Sequence, residues 1–142
     1  MGSFKRSPLF YVRDKFKLLP EITKLFPQNI ETFYEPFVGG GSVFLNVDAT
    51  SYELNDIDTN VIQIHKELIK WSESEIQFFK KIENRVKKYG LSRSYIEDVV
   101  PLELKKEYKK TYYAKYNKES FNALKKKYNS SSIKDYFCLL YT

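Results

Sequence analysis

Three consecutive glycines, Gly39-Gly40-Gly41, stand at the exit of a segment rich in β-branched and aromatic residues, Ile30-Glu31-Thr32-Phe33-Tyr34-Glu35. That composition reads as a strand, and Pro36-Phe37-Val38 carry the chain from it straight into the glycines. A chain turning sharply off a strand needs residues that tolerate positive φ, and backbone amides that meet a ligand need absent side chains. Val43, Phe44 and Leu45 then read as a short helix. Ser51-Tyr52-Glu53-Leu54-Asn55 reads as a second strand, with Asp56 at its C-terminal end. Asp58 or Thr59 can cap a following helix whose packing edge carries Val61, Ile64, His65 and Leu68. Strand, glycine turn, helix, strand, acid, helix is the opening of a parallel doubly wound sheet. The expected fold class is α/β, the N-terminal half of a Rossmann-like sheet followed by a helical region.

Before the loop, the spacing from Leu18 to Phe26 fits one face of a short helix that Pro27 ends. After Trp71 the pattern is helical alone. Ser74 with Gln77 has the form of a capping box. Ile76, Phe79, Ile82, Val86 and Tyr89 recur at helical spacing up to Gly90, a natural stop. Pro101 opens a further helix through Leu104, Tyr108, Tyr112 and Tyr116, and a last one covers Phe121 to Tyr128. The apolar segment from Ile133 to Thr142 has no cap, polar tail or breaker, and reads as cut rather than finished. The expected division is residues 1–58 as one functional part and 59–142 as a second, incomplete one.

Charge divides the same way. Residues 1–58 hold six Lys/Arg and eight Asp/Glu, giving −2, whereas residues 59–142 hold eighteen and ten, giving +8. The net +6 therefore arises wholly in the second part. Either that half meets a polyanion or it carries a lysine-rich solvated surface. No apolar run approaches the roughly 20 residues that span a bilayer, and the N-terminus lacks a secretory core, so no membrane association and a cytoplasmic location are expected. Cys138 is the only cysteine and reads as a core residue; with His65 the only histidine, triad and transition-metal chemistry find little support.

The glycines do not complete the dinucleotide fingerprint, because no third spaced glycine follows. Asp56 lies fifteen positions after Gly41, where a carboxylate can accept hydrogen bonds from both ribose hydroxyls of an adenosine held at the strand ends. Loop plus acid favours an adenosine-containing cofactor, against the plainer alternatives of a tight turn and a helix cap.

Tyr34-Glu35-Pro36-Phe37-Val38-Gly39-Gly40-Gly41-Ser42-Val43-Phe44-Leu45-Asn46 closely resembles the cofactor loop of Dam-type (D12 class) DNA adenine-N6 methyltransferases. Asn55-Asp56-Ile57-Asp58 resembles that family's ribose-binding strand end, and Tyr11, Lys15 and Leu18-Leu19-Pro20 resemble its N-terminal motif. The resemblance implies S-adenosyl-L-methionine as cofactor, with Tyr11 flanking it and Lys15 pairing with its methionine carboxylate. Glu35, Pro36, Phe37, Gly39, Gly40 and Gly41 would form the binding loop, and Asp56 would hold the ribose. Residues from 59 onward would be the helical target-recognition domain, with double-stranded DNA as partner. Its lysine cluster, Lys105, Lys106, Lys109, Lys110 and Lys125–Lys127, would approach phosphates.

Two departures stand out. Arg13-Asp14-Lys15 replaces the family's usual Gly-Gly-Lys, which is expected to weaken carboxylate binding. No Asp-Pro-Pro-Tyr, the motif that holds the target amino group, occurs anywhere. The expectation is cofactor contacts without a catalytic group, the missing C-terminal half or a restriction system being the implied partners. A DNA-binding module without catalysis is the alternative from another class.

Overall fold

A computed structural model of the chain describes residues 3–9, 11, 12, 14–93, 96 and 99–137. Arg13 and Cys138, both singled out from the sequence, lie outside the described residues. The structure is mixed α/β and forms two compact units, Met1–Lys66 and Glu67–Thr142.

In the first unit, the Leu18–Phe26 pattern becomes three short turns rather than one regular helix. A 3₁₀ turn, Lys15–Leu18, runs into helix α1, Leu19–Ile22, and then a second 3₁₀ turn, Thr23–Leu25. Pro20 sits in the first turn of α1, where a missing N–H costs nothing. Strands β1, Thr32–Glu35, and β2, Ser51–Leu54, pair in parallel with Phe33 opposite Tyr52 and Glu35 opposite Leu54. A parallel pair needs a crossover of about a dozen residues or more. Here it is 36–50, containing the glycine turn and one 3₁₀ turn, Phe44–Asn46, where the sequence suggested a helix around 43–45. The turn stops because Val47 is extended and the Asn46 amide donates to the Ser42 carbonyl at 2.8 Å, closing the segment on itself. Leu19, Phe33, Val43 and Val47 form the core, with Phe26 edge-on to Phe33 at 5.4 Å between ring centres. Burying each of these side chains contributes about 1.5–3 kcal/mol.

Helix α2, Thr59–Ser72, begins where Asp58 accepts from the Asn60 N–H at 2.9 Å, as its capping role requires. Helix α3, Glu75–Tyr89, opens on Ser74, whose hydroxyl accepts from Gln77 N–H at 3.4 Å. Only that half of the capping box forms, because the Ser74 N–H donates to the Trp71 carbonyl at 3.3 Å. Gly90 ends α3 in the left-handed region, φ 63°.

The single helix expected from Pro101 through Tyr116 does not form. It is α4, Leu102–Tyr108, and α5, Tyr112–Tyr116, separated at Lys109, a non-glycine residue with φ 44°. The break lets α5 pack back on α4, partly burying Tyr108 and Tyr112 and seating the Lys115 ammonium 4.9 Å from the Tyr108 ring centre. One straight helix would have left that tyrosine stripe in water. Helix α6, Lys118–Ser130, packs on α3, and Leu124 is its buried residue. Phe137 is fully buried, edge-on to Trp71 and Phe78 at 5.8 Å each. No helix among the described residues is long and apolar enough to cross a membrane.

Candidate cofactor site

The first unit gathers the residues of all three sequence motifs around one loop. Val38, Gly39, Gly40 and Gly41 are buried at the C-terminal end of β1. Gly39 and Gly41 adopt φ 50° and 86°, the left-handed region where side chains are strained. Val38 N–H donates to the Asn55 carbonyl at 2.9 Å, which ties the loop to the end of β2. Gly41 N–H closes a turn on the Val38 carbonyl at 2.8 Å.

Space opposes a side chain at Gly41 as firmly as φ does, and leaves little room at Gly39 and Gly40. A methyl group on Gly39 would lie 3.1 Å from Tyr11 Cε1, and one on Gly40 3.0 Å from Tyr11 Cβ. At Gly41 it would overlap Phe44 Cε1 at 2.5 Å and His65 Cε1 at 2.8 Å. Tyr11 thus lies over the loop from one side, while Phe44 and His65 close it from another.

Asp56 is placed by the end of β2. Its Oδ2 accepts from Gly39 N–H at 2.9 Å and its Oδ1 from Asp58 N–H at 3.0 Å. The Asp58 N–H, then the Gly39 N–H and the Lys15 charge, hold its carboxyl below the usual aspartate range, against the opposing effect of burial. At neutral pH the group is a carboxylate. It offers about four lone-pair positions, of which these two bonds use half.

Lys15 pairs with Glu35 Oε1 at 2.8 Å and also donates to the Phe37 carbonyl. Glu35 is buried, 5% exposed, and its Oε2 accepts from Phe44 N–H at 3.1 Å. Burying that carboxylate is tolerable because a cation and a backbone donor face it. Asp14 turns its carboxylate onto Phe16 N–H at 3.2 Å, starting the 3₁₀ turn that presents Lys15. Pro36 and Phe37 form the exposed turn off β1, Phe37 at 73% exposure.

One participant was not singled out for this site in the sequence. His65, buried on α2, makes a 2.8 Å hydrogen bond from Nε2 to the Gly39 carbonyl and meets the Phe44 ring edge-on at 5.6 Å. Its helical spacing marks it as inward-facing, yet periodicity carries no sign of the loop it reaches 26 residues back.

In the second unit, Lys106, Lys109, Lys110 and Lys125–Lys127 are exposed. Lys105 lies 5.9 Å from the Tyr112 ring centre and Lys125 5.8 Å from that of Phe121.

Comparison with known proteins bears on what this loop serves. A family model described as D12 class N6 adenine-specific DNA methyltransferase matches residues 11–142. The type II methyltransferase M.FokI of Planomicrobium okeanokoites is 42% identical over 93 residues, 66% of this chain and 14% of that protein. The modification methylase StsI of Streptococcus sanguinis is 36% identical over 91 residues, 63% of this chain and 13% of its own length. The DNA adenine methylase of Escherichia coli K12 is 42% identical over 60 residues, 42% of this chain and 21% of the relative. The chain therefore aligns with only a small fraction of each of these relatives.

Proposed function

The chain belongs to the D12 class N6 adenine-specific DNA methyltransferase family, and we propose that its first unit holds S-adenosyl-L-methionine for methyl transfer to adenine in double-stranded DNA. The observation that carries this reading is Asp56: an ionised carboxylate, bonded to Gly39 N–H at 2.9 Å, with acceptor positions to spare beside a loop of three buried glycines. A ribose presents two hydroxyl donors, which such a carboxylate satisfies without further rearrangement. The cofactor, when bound, supplies an electrophilic methyl group.

This chain's residues bind and orient. Asp56 accepts from the ribose, and the glycine loop lets the ligand approach the backbone. Tyr11 supplies an aromatic face, and Lys15, held in place by Glu35, faces the amino-acid carboxylate. Glu35, Pro36 and Phe37 shape the turn that carries these groups. The two parallel strands are on this reading the start of a Rossmann-like sheet, and residues 59–142 the target-recognition domain. Their exposed lysines meet DNA phosphates, an attraction that weakens steeply with salt. The 142 residues contain no Asp-Pro-Pro-Tyr, so the group that holds the adenine amine comes from sequence outside them. A cytoplasmic, restriction-modification setting suits a chain resembling M.FokI and StsI. A DNA-binding module without a cofactor draws no support from these likenesses.

Titration with S-adenosylmethionine is the test. Saturable binding that S-adenosylhomocysteine displaces is the expected result. A folded chain that binds duplex DNA but neither nucleoside contradicts the reading.

A further inference from the structure

Gly39 is held at both of its backbone groups. Asp56 takes its N–H at 2.9 Å, and His65 Nε2 meets its carbonyl at 2.8 Å. A carbonyl only accepts, so Nε2 carries the proton. The peptide between Gly39 and Gly40 is planar and trans, and in such a unit C=O and N–H point in opposite directions. Drawing the Gly39 carbonyl onto His65 therefore turns the Gly40 N–H away from His65.

That N–H differs from its neighbours. Val38 donates to Asn55, Gly39 to Asp56 and Gly41 to Val38. Among the described residues no acceptor meets Gly40 N–H, although Gly40 is buried and its carbonyl accepts from Ser7. A buried backbone donor without a partner is costly and rare in a finished fold. We propose that His65 is a positioning residue of the cofactor loop: its bond to the Gly39 carbonyl aims Gly40 N–H as the backbone donor that S-adenosylmethionine accepts.

The proposal rests on the cofactor reading above. It adds a residue on α2 that touches no ligand and acts through one peptide plane. The peptide joins two glycines, Gly39 and Gly40, so no Cβ on either side hinders its flipping, and something else must hold it. The bulk around His65 is no substitute for the donor. The Phe44 edge contact fixes where the ring lies, and only Nε2–H fixes which way the carbonyl faces.

The test combines nitrogen-15 spectroscopy of the unliganded chain with binding to two variants. In the wild-type chain the imidazole shifts should identify protonated Nε2, and the Gly40 amide proton should move downfield on adding S-adenosylmethionine. His65→Phe keeps a ring against Phe44 without the donor and should lose about tenfold in affinity. His65→Gln, which returns an N–H near Nε2, should recover to within about threefold of wild type. A proton on Nδ1 with bare Nε2 overturns the proposal whatever the variants do. Equal affinity in wild type and His65→Phe overturns it while sparing the cofactor reading, as does an equal loss in Phe and Gln variants. A wild-type chain with protonated Nε2 that binds no cofactor locates the failure in the parent reading and takes this proposal with it.

Discussion

A polypeptide made of these 142 residues alone is expected to transfer no methyl group to DNA, and to gain activity when a segment carrying Asp-Pro-Pro-Tyr is supplied. In-line attack needs nucleophile and methyl carbon within about 3–3.5 Å, a positioning that contributes roughly 7–11 kcal/mol of the barrier. The adenine amine is a poor nucleophile because its lone pair is delocalised into the ring. The carboxylates near the loop serve the loop and the helix that follows it. Asp56 accepts from Gly39 and Asp58 N–H, Asp58 caps α2 through Asn60, and Glu35 is buried against Lys15 and Phe44 N–H. None is followed by the paired prolines that hold the amine, and without that holder a loss of this size leaves nothing measurable. A tritiated-methyl assay on adenine-containing duplex, with and without the C-terminal segment of a related enzyme, measures this directly. Methylation by the 142 residues alone would reveal a catalytic group other than those described.

The second large effect is expected at Gly41. Gly41→Ala combines a left-handed φ of 86° with a Cβ placed 2.5 Å from Phe44 Cε1 and 2.8 Å from His65 Cε1. The backbone term costs roughly 1–2 kcal/mol and the overlap about 1–3 kcal/mol more. Together they consume a large part of a domain's usual margin of roughly 5–15 kcal/mol. Gly90→Ala is the control. It too has positive φ, 63°, but a Cβ there would meet only Ser120 Oγ, at an ordinary 3.7 Å. Its cost is the backbone term alone, roughly 1–2 kcal/mol. Chemical denaturation followed on amide resonances of each unit should show the Gly41 variant losing clearly more stability. Equal losses would mean that the loop is not closed by Phe44 and His65 as described.

What could be read before the structure was local. Gly39-Gly40-Gly41 after a β-rich run announced a turn off a strand, and Ser74, Asp58 and Gly90 announced helix ends, because caps and turns are set within a few residues. The pairing of β1 with β2 followed from two β-rich runs joined by a crossover. Contacts between distant residues were less accessible. Lys15 reaching Glu35, and His65 reaching the Gly39 carbonyl, join positions 20 and 26 apart whose spacing carries no signal. Asp14 caps the turn that presents Lys15, a role its place in Arg13-Asp14-Lys15 did not announce. The break at Lys109 was hidden for a different reason. Tyr108, Tyr112 and Tyr116 continue the helical period across it, so the pattern fits one helix as well as two. The choice is made by packing α5 back on α4, a tertiary effect that overrides local propensity.

On the reading proposed above, Asp56 beside the glycine loop holds the ribose of S-adenosylmethionine. Calorimetric titration of the wild-type chain and Asp56→Ala, with fold checked by amide spectra, tests it most directly. The wild type should bind, and the variant should lose about 1.5–3 kcal/mol of binding free energy, the range for hydrogen bonds to a charged group. Equal affinity in two folded proteins would contradict the assignment.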